Sequence, residues 1–353
     1  MAGASAEEPE DADRRKLMGR LSEMGATPVE IEDANRTGTL GPLALELALR
    51  GSEVVSFVEA AEAAGLGAEE AARLWRAVGF PDPLESPPRV TQRQIDTLRV
   101  LAGTRNLLGY EAAAELAPVI GGTTAKLAEA IVDSFRINVE TPRLQRGEAA
   151  SQIVEDYAQT AAAVLPPLID AIGDLLVGHI LAVARASWAM DDQRTAVTRD
   201  LVIGFADLVG YTRAAQQLSP TELAGAIRRF EASSGEIIAR HGGRLVKLIG
   251  DEVMFVVDDA HRAAELVGDL LRAVARDEQL PDIRIGLAAG PLVSHHGDYY
   301  GDVVNLAARL VKAAAPGTAL GSESLGAVMG EPIELPPLKG YEGTMRAWRL
   351  GVS

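Results

Sequence analysis

The stretch "GRLVKLIGDEVMFVV", Gly243 to Val257, decides how the C-terminal part of this chain is read. Two apolar runs of strand length flank Gly250 and Asp251, and a Gly-Asp pair in that setting marks the tip of a tight hairpin. Upstream, "LVIGFADL" (Leu201 to Leu208) has the length and continuous apolarity of a buried strand. Between it and the hairpin lies "SPTELAGAIRRFEASSGEIIARHG", which predicts a helix with Ser219 as N-cap, Pro220 at its first position and Gly242 near its end. Downstream come a helix from about Ala260 to Ala275, the strand "IRIGLAAG" and a helix from about Val303 to Lys312. The order is β-α-β-β-α-β with further elements after it, a ferredoxin-like α+β domain over residues 200–353.

The text before it has a different character. From about residue 15 to 190 it is rich in Ala and Leu at helical spacing, with "PDPLESPP" (Pro81 to Pro88) the clearest loop, and it predicts an all-α domain over 1–190. Residues 191–199 read as a linker. The most apolar segment, Ala161 to Met190, is interrupted by Pro166, Pro167, Asp170, Asp174, His179 and Arg185, and is expected to be a buried or interfacial helix rather than a membrane span.

Composition removes several classes of function. The chain has no Cys among its 353 residues, which excludes thiolate catalysis and Cys-ligated zinc and suits a reducing cytoplasmic compartment. The acidic N-terminus lacks the basic start and apolar core of a signal peptide. A formal charge of -16 disfavours nucleic-acid backbones, and any nucleotide site here needs its own cations or metal ions.

Asp207 closes the first strand beside a Gly turn and Asp251 sits on the hairpin tip of the same sheet, so the fold can bring the two carboxylates to one edge. Such a pair repels unless a cation lies between, and oxygen ligation suits Mg²⁺ or Mn²⁺. Read singly, each Asp is equally a cap or turn residue. Farther on, "HHGDYYGDVVNLAARL" (His295 to Leu310) holds Asn305 and Arg309 four apart, on one helical face. Alone, that stripe is a solvated face, Asp302 is the helix N-cap, and His295 and His296 belong to a surface loop.

Together, "FADLVGYT" (Phe205 to Thr212), "KLIGDEVMF" (Lys247 to Phe255) and "GDYYGDVVNLAARL" (Gly297 to Leu310) resemble the three signature segments of the class III nucleotidyl cyclases, in the same order. The resemblance runs from Leu201 to the end and implies a role for each matching position. Asp207 and Asp251, with the backbone carbonyl of Leu208, would hold two Mg²⁺ or Mn²⁺ ions on the triphosphate of ATP. The amides of Val209, Gly210, Tyr211 and Thr212 would cradle the β- and γ-phosphates. Lys247 and Asp298 match the base-reading pair, an ammonium for adenine N1 and a carboxylate for the N6 amine. Guanine reverses both contacts, so ATP is favoured over GTP. Asn305 would orient the ribose, Arg309 would stabilise charge on the α-phosphate, and Lys339 in "PLKGYEG" resembles a Lys-Gly element that reaches the terminal phosphates.

The resemblance also implies a head-to-tail homodimer with composite sites, converting ATP to 3′,5′-cyclic AMP and pyrophosphate. The N-terminal half resembles, by layout and by phrases such as "AARLWRAVGFPD" (Ala71 to Asp82), the regulatory domains of bacterial cyclases that respond to pH or lipid. In that setting His179 is a candidate proton sensor, because burial and neighbours can move its pKa across the physiological range. The competing reading is a nucleic-acid-binding helix-turn-helix, with "GLG" (Gly65 to Gly67) as its turn, carrying an inactive cyclase module. Its candidate second helix offers phosphates only Arg73 and Arg76 beside two Glu.

Overall fold

The computed structural model describes residues 9–50, 54–85, 89–188, 198–211 and 219–351. The chain divides into two compact units, Met1–Trp188 and Ala189–Ser353.

The first unit runs α1 (Pro9–Glu23), α2 (Pro28–Thr37), α3 (Leu40–Arg50), β1 (Val54–Ser56), α4 (Phe57–Ala63), α5 (Ala68–Ala77), β2 (Arg89–Thr91), α6 (Gln92–Leu108) and α7 (Tyr110–Phe135). A π-helical turn then leads to α8 (Thr141–Gln145) and α9 (Ala150–Trp188). Helix is the rule, as the spacing predicts, but three residues on each side of α4 and α5 pair as an antiparallel ribbon of β1 with β2. Val54, Val55 and Val90 are β-branched, and Ser56 and Thr91 at the ribbon's ends lead directly into helices, so the ribbon fits between caps. Ser56 and Thr27 each form a reciprocal capping box with a Glu three residues on, Glu59 and Glu30.

One core joins α4, α5 and α6 around Phe57, Trp75 and Leu98; another joins α1, α2 and α3 to Ala158 on α9. α4 and α5 turn about Gly65, whose φ of 73° only glycine adopts freely. Arg76 on α5 is ion-paired with Asp82 at 2.6 Å and the first turn carries Glu69 and Glu70, a surface poorly suited to phosphates.

α9 is long and apolar enough to cross a membrane by length and composition, and its apolar window is not buried within the described residues. Leu175 and Leu176 remain 65% and 59% exposed. From residue 162 to 185 the helix has no buried residue, whereas Ile153, Ala158 and Ala161 nearer its start are buried. His179 is exposed on it.

The second unit runs β3 (Thr198–Leu208), α10 (Pro220–Arg240), β4 (Arg244–Ile249), β5 (Glu252–Val257), α11 (Ala260–Ala275), β6 (Ile283–His295), β7 (Asp298–Tyr300), α12 (Asp302–Ala313), β8 (Thr318–Gly321), β9 (Glu331–Leu335) and β10 (Met345–Gly351). The strands form one sheet in the order β4-β5-β3-β6-β8-β10-β9, with β7 added to β6. This is the expected β-α-β-β-α-β order, extended by the C-terminal strands. α10 and α11 cover one face around Phe230, Phe255 and Leu270. α12 covers the other around Ile203, Met254 and Ala307.

Gly250 turns the β4–β5 hairpin at φ 66°, as the Gly-Asp pair predicts. Gly286 has a different duty: a Cβ there would lie 2.1 Å from the Val311 nitrogen and 2.4 Å from the Ala307 oxygen. α12 thus rests directly on the backbone of β6, and this close approach sets where its exposed side carries Asn305 and Arg309. Ser219 caps α10 through a capping box with Glu222 and Pro220 opens the helix. Asp302 is not the cap of α12; Gly301 takes that position, and Asp302 stands in the first turn, where its charge complements the helix dipole.

Candidate active site

Three groups of side chains on the second unit contain the sequence-predicted residues. The first lies where β3 ends beside the β4–β5 turn. Leu208 donates its amide to the Asp251 carbonyl at 3.4 Å, which holds the strand end against the hairpin tip. Asp207 is flanked across the sheet by Glu252 on β5 and Arg284 on β6, so all three side chains share one face. Arg284 donates from Nε and Nη2 to Oδ2 of Asp207, at 2.8 and 2.6 Å. Burial pushes the Asp251 carboxyl above its ordinary range, and the nearby Asp207 charge pushes the same way. Glu252 is raised by burial first and by Asp207 and Asp251 after it, against the pull of Lys312 and Arg284. Asp207, Asp251 and Glu252 thus lie close enough to raise one another's cost of ionisation, with Arg284 bonded to Asp207 alone of the three.

Neither Glu252 nor Arg284 was singled out from the sequence. Glu252 lies inside the second signature segment and opens β5, Arg284 is the second residue of β6, and only the cross-strand register aligns them with Asp207. In the turn after β3 the Val209 amide donates to the Asp282 carbonyl at 2.7 Å. Gly210 follows at φ 73°, and burial, then the Asp251 charge, raises the Tyr211 phenol. Thr212 lies outside the described residues.

The second group pairs Lys247 on β4 with Asp298 on β7. Lys247 Nζ donates to Oδ2 of Asp298 at 2.5 Å, and Oδ1 accepts the Tyr299 amide at 2.8 Å. An ammonium and a carboxylate from strands 51 residues apart meet side by side, with 42% and 25% of their side chains exposed. They are accessible to a ligand while holding each other.

The third group is on α12. Asn305 is exposed and Arg309 lies one turn on. Arg309 Nε donates to the Lys339 carbonyl at 3.2 Å, and the Tyr341 hydroxyl donates to the Asp302 carbonyl at 3.2 Å, which seats the "LKGY" turn against the helix. Lys339 and Arg309 are thereby neighbours. Among the described residues, no hydrogen bond or ion pair links one of the three groups to another. His295 and His296 stack on each other at 3.7 Å on the exposed β6–β7 hairpin, where His295 stands across from Asp298.

Residues 195–331 match the Adenylate and Guanylate cyclase catalytic domain family. An adenylate cyclase of Streptomyces griseus is 34% identical over 83% of this chain and 73% of its own length. One of Streptomyces coelicolor is 38% identical over 72% of this chain and 66% of its own length.

The chain belongs to the class III adenylate cyclases.

A pH-sensitive adenylate cyclase of Mycobacterium tuberculosis is 27% identical to this cyclase over 96% of the chain and 88% of its own length. Among solved structures, the adenylyl cyclase CyaB from P. aeruginosa is 22% identical, covering 44% of this chain and 95% of its own, with a TM-score of 0.39. Asp207, Asp251, Lys247 and Asp298 all fall within the family match at residues 195–331.

Proposed function

We propose that this cyclase converts ATP to 3′,5′-cyclic AMP and pyrophosphate at composite sites of a homodimer, with Lys247 and Asp298 selecting adenine. The observation that carries the reading is the Lys247–Asp298 pair, one donor and one acceptor held side by side and open to solvent. Adenine presents the complementary acceptor and donor, whereas guanine leaves both groups facing their own kind.

The donors at the end of β3 fit a divalent cation: Asp207, Asp251 and the Leu208 carbonyl are hard oxygen ligands, and burial disfavours leaving Asp251 charged without a partner. Mg²⁺ or Mn²⁺ bound there, two per site, would lower the pKa of the ribose 3′-hydroxyl and neutralise the triphosphate. The remaining work belongs to the chain. Arg284 keeps Asp207 oriented along the sheet edge. Asn305 orients the ribose so that the 3′-oxygen lies in line with the α-phosphate. Arg309, held at Nε by the Lys339 carbonyl, turns its remaining N–H groups to the charge that grows on the α-phosphoryl oxygens. Pyrophosphate leaves toward Lys339.

The lack of any hydrogen bond or ion pair between the groups, among the described residues, leaves room for a head-to-tail dimer, in which the carboxylates of one copy face the Lys247, Asp298, Asn305 and Arg309 of its partner. The long helical unit supports regulation of that assembly, restraining it until a signal such as a proton or a lipid is received. α9 fits an interfacial helix better than a membrane span, since Asp170, Asp174, His179 and Arg185 each cost free energy inside a bilayer.

The test uses two variants of the full chain, Asp207→Ala and Arg309→Ala, each assayed for cyclic AMP with Mn²⁺ and ATP. Each alone is inactive; mixed, they regain activity, because the mixed dimer keeps one intact site. Failure of the mixture to regain activity, with dimers verified by sedimentation, removes the composite-site reading. Absence of cyclic AMP from the unaltered chain, with and without the helical unit, removes the activity itself. Across pH 5.5 to 8, a chain lacking the helical unit and kept at dimeric concentration should lose any pH response that the full chain shows.

A further inference from the structure

Arg244 and Lys247 lie three apart on β4, and side chains three apart on a regular strand face opposite sides of the sheet. Here they do not. Arg244 stands opposite Val256, Leu245 opposite Phe255 and Lys247 opposite Met254, so Val246 is an extra residue in a β-bulge. Val256 and Met254 are two apart on β5 and both belong to the apolar cluster beneath α12. The bulge returns Lys247 to the face that Arg244 already occupies.

Tyr299 belongs to that same cluster and is only 4% exposed. Its hydroxyl accepts from Arg244 Nη2 at 2.9 Å, and Arg244 Nη1 donates to the Gly297 carbonyl at 3.4 Å. The guanidinium carbon stands 5.3 Å from the centre of the Tyr299 ring. From Tyr299 the contacts continue through its amide to Asp298 and from Asp298 to Lys247. A closed loop of contacts therefore leaves β4 at Arg244, passes through the β6–β7 hairpin and returns to β4 at Lys247.

The hairpin needs such a tether. β7 is three residues long and pairs only with the end of β6, across a turn in which His296 and Gly297 have φ of 52° and 80°. An ion pair as exposed as Lys247–Asp298 contributes only about 0–1 kcal/mol, too little to fix the carboxylate once Lys247 turns to a ligand. The contacts of Arg244 with Tyr299 and Gly297 do not involve Lys247.

We propose that Arg244 and Tyr299 are positioning residues for base selection, fixing Asp298 at the distance from Lys247 that matches adenine and not guanine. The proposal rests on the reading of Lys247 and Asp298 as the base-reading pair. Neither positioning residue touches the nucleotide; both act through the hairpin. A residue that merely stabilised the fold would change melting temperature without changing the choice of base.

The experiment compares the full chain with Tyr299→Phe, Arg244→Gln, Arg244→Lys and Asp298→Ala. For each, kcat and KM are measured with ATP and with GTP, alongside equilibrium binding of 3′-deoxy-ATP and 3′-deoxy-GTP, and melting temperature. In Tyr299→Phe and Arg244→Gln the ATP-to-GTP ratio of kcat/KM is expected to fall about 5- to 20-fold, through KM for ATP, with kcat for ATP within about twofold. Arg244→Lys, which keeps a cation over the ring, recovers part of the ratio. Tyr299→Phe removes one oxygen and leaves the ring in its seat, so the comparison stands even if Arg244→Gln does not fold. If Asp298→Ala lowers the ratio while Tyr299→Phe and folded Arg244 variants keep it, the positioning role is wrong and the base-reading pair stands. A ratio unmoved by Asp298→Ala defeats the base-reading pair and the positioning role with it. A lower melting temperature at an unchanged ratio likewise overturns the proposal.

Discussion

Arg284→Ala tests whether the edge carrying Asp207 is built for a cation. In the folded chain, Asp207 keeps 15% of its side-chain exposure and Arg284 keeps 31%, joined by two hydrogen bonds. Removing one partner of a fully buried pair costs about 3–5 kcal/mol because the other charge is stranded, and the residual exposure reduces this to about 2–4 kcal/mol. Asp251 and Glu252 sharpen the penalty, since burial already raises both carboxyls and no other guanidinium is bonded to Asp207 among the described residues. For a unit of this size the loss corresponds to a melting temperature lower by roughly 5–15 °C in metal-free buffer.

A divalent cation supplies the missing charge. At about one hundred times its Kd it returns about 2.7 kcal/mol, close to the whole deficit. The variant should therefore gain more from Mn²⁺ than the unaltered chain, in which the cation competes with Arg284 for Asp207. The assay is a thermal melt followed by circular dichroism across a Mn²⁺ titration, with Ca²⁺ and high NaCl as controls. An equal gain in both proteins, or a deficit that Mn²⁺ leaves untouched, would refute the argument that Arg284 and the cation serve the same carboxylates.

Three further outcomes are expected. Gly286→Ala forces a Cβ to within 2.1 Å of the Val311 nitrogen, so it should destabilise the second unit by about 3 kcal/mol and abolish cyclase activity by displacing α12; an unaltered melt contradicts this. Arg309→Ala should lower kcat by about 10²–10³ with a smaller change in KM, read by steady-state kinetics with Mn²⁺-ATP. Glu30 is held at a pKa of about 2, chiefly by the Thr27 amide and then by the Thr27 hydroxyl and Arg50, against a cost from burial. Its stabilising contribution is complete above its ordinary value and lost as pH falls through about 2, so Glu30→Gln should cost about 1–3 kcal/mol at pH 7 and progressively less as pH falls to 2 and below, measured by hydrogen exchange of α2.

Much of the catalytic unit is legible in the chain because its determinants are local. Ser219-Pro220 opens a helix and Gly250 turns a hairpin through backbone preferences that need no distant partner. The helical unit is less so: the ribbon of β1 and β2 joins residues about 35 apart through three pairs, too short for a periodic pattern. Whether α9 is buried also depends on what packs against it, which hydropathy does not encode.

The sequence by itself determined the family, the order of the elements and the residues whose chemistry suits a nucleotide, since motif spacing and residue type are properties of the chain. The tertiary structure decided which of them meet. Antiparallel register aligned Glu252, Asp207 and Arg284 across three strands, and one extra residue, Val246, placed Lys247 on the face where Asp298 and Tyr299 await it. Register and bulges arise from pairing between strands distant in sequence, so no single strand carries them.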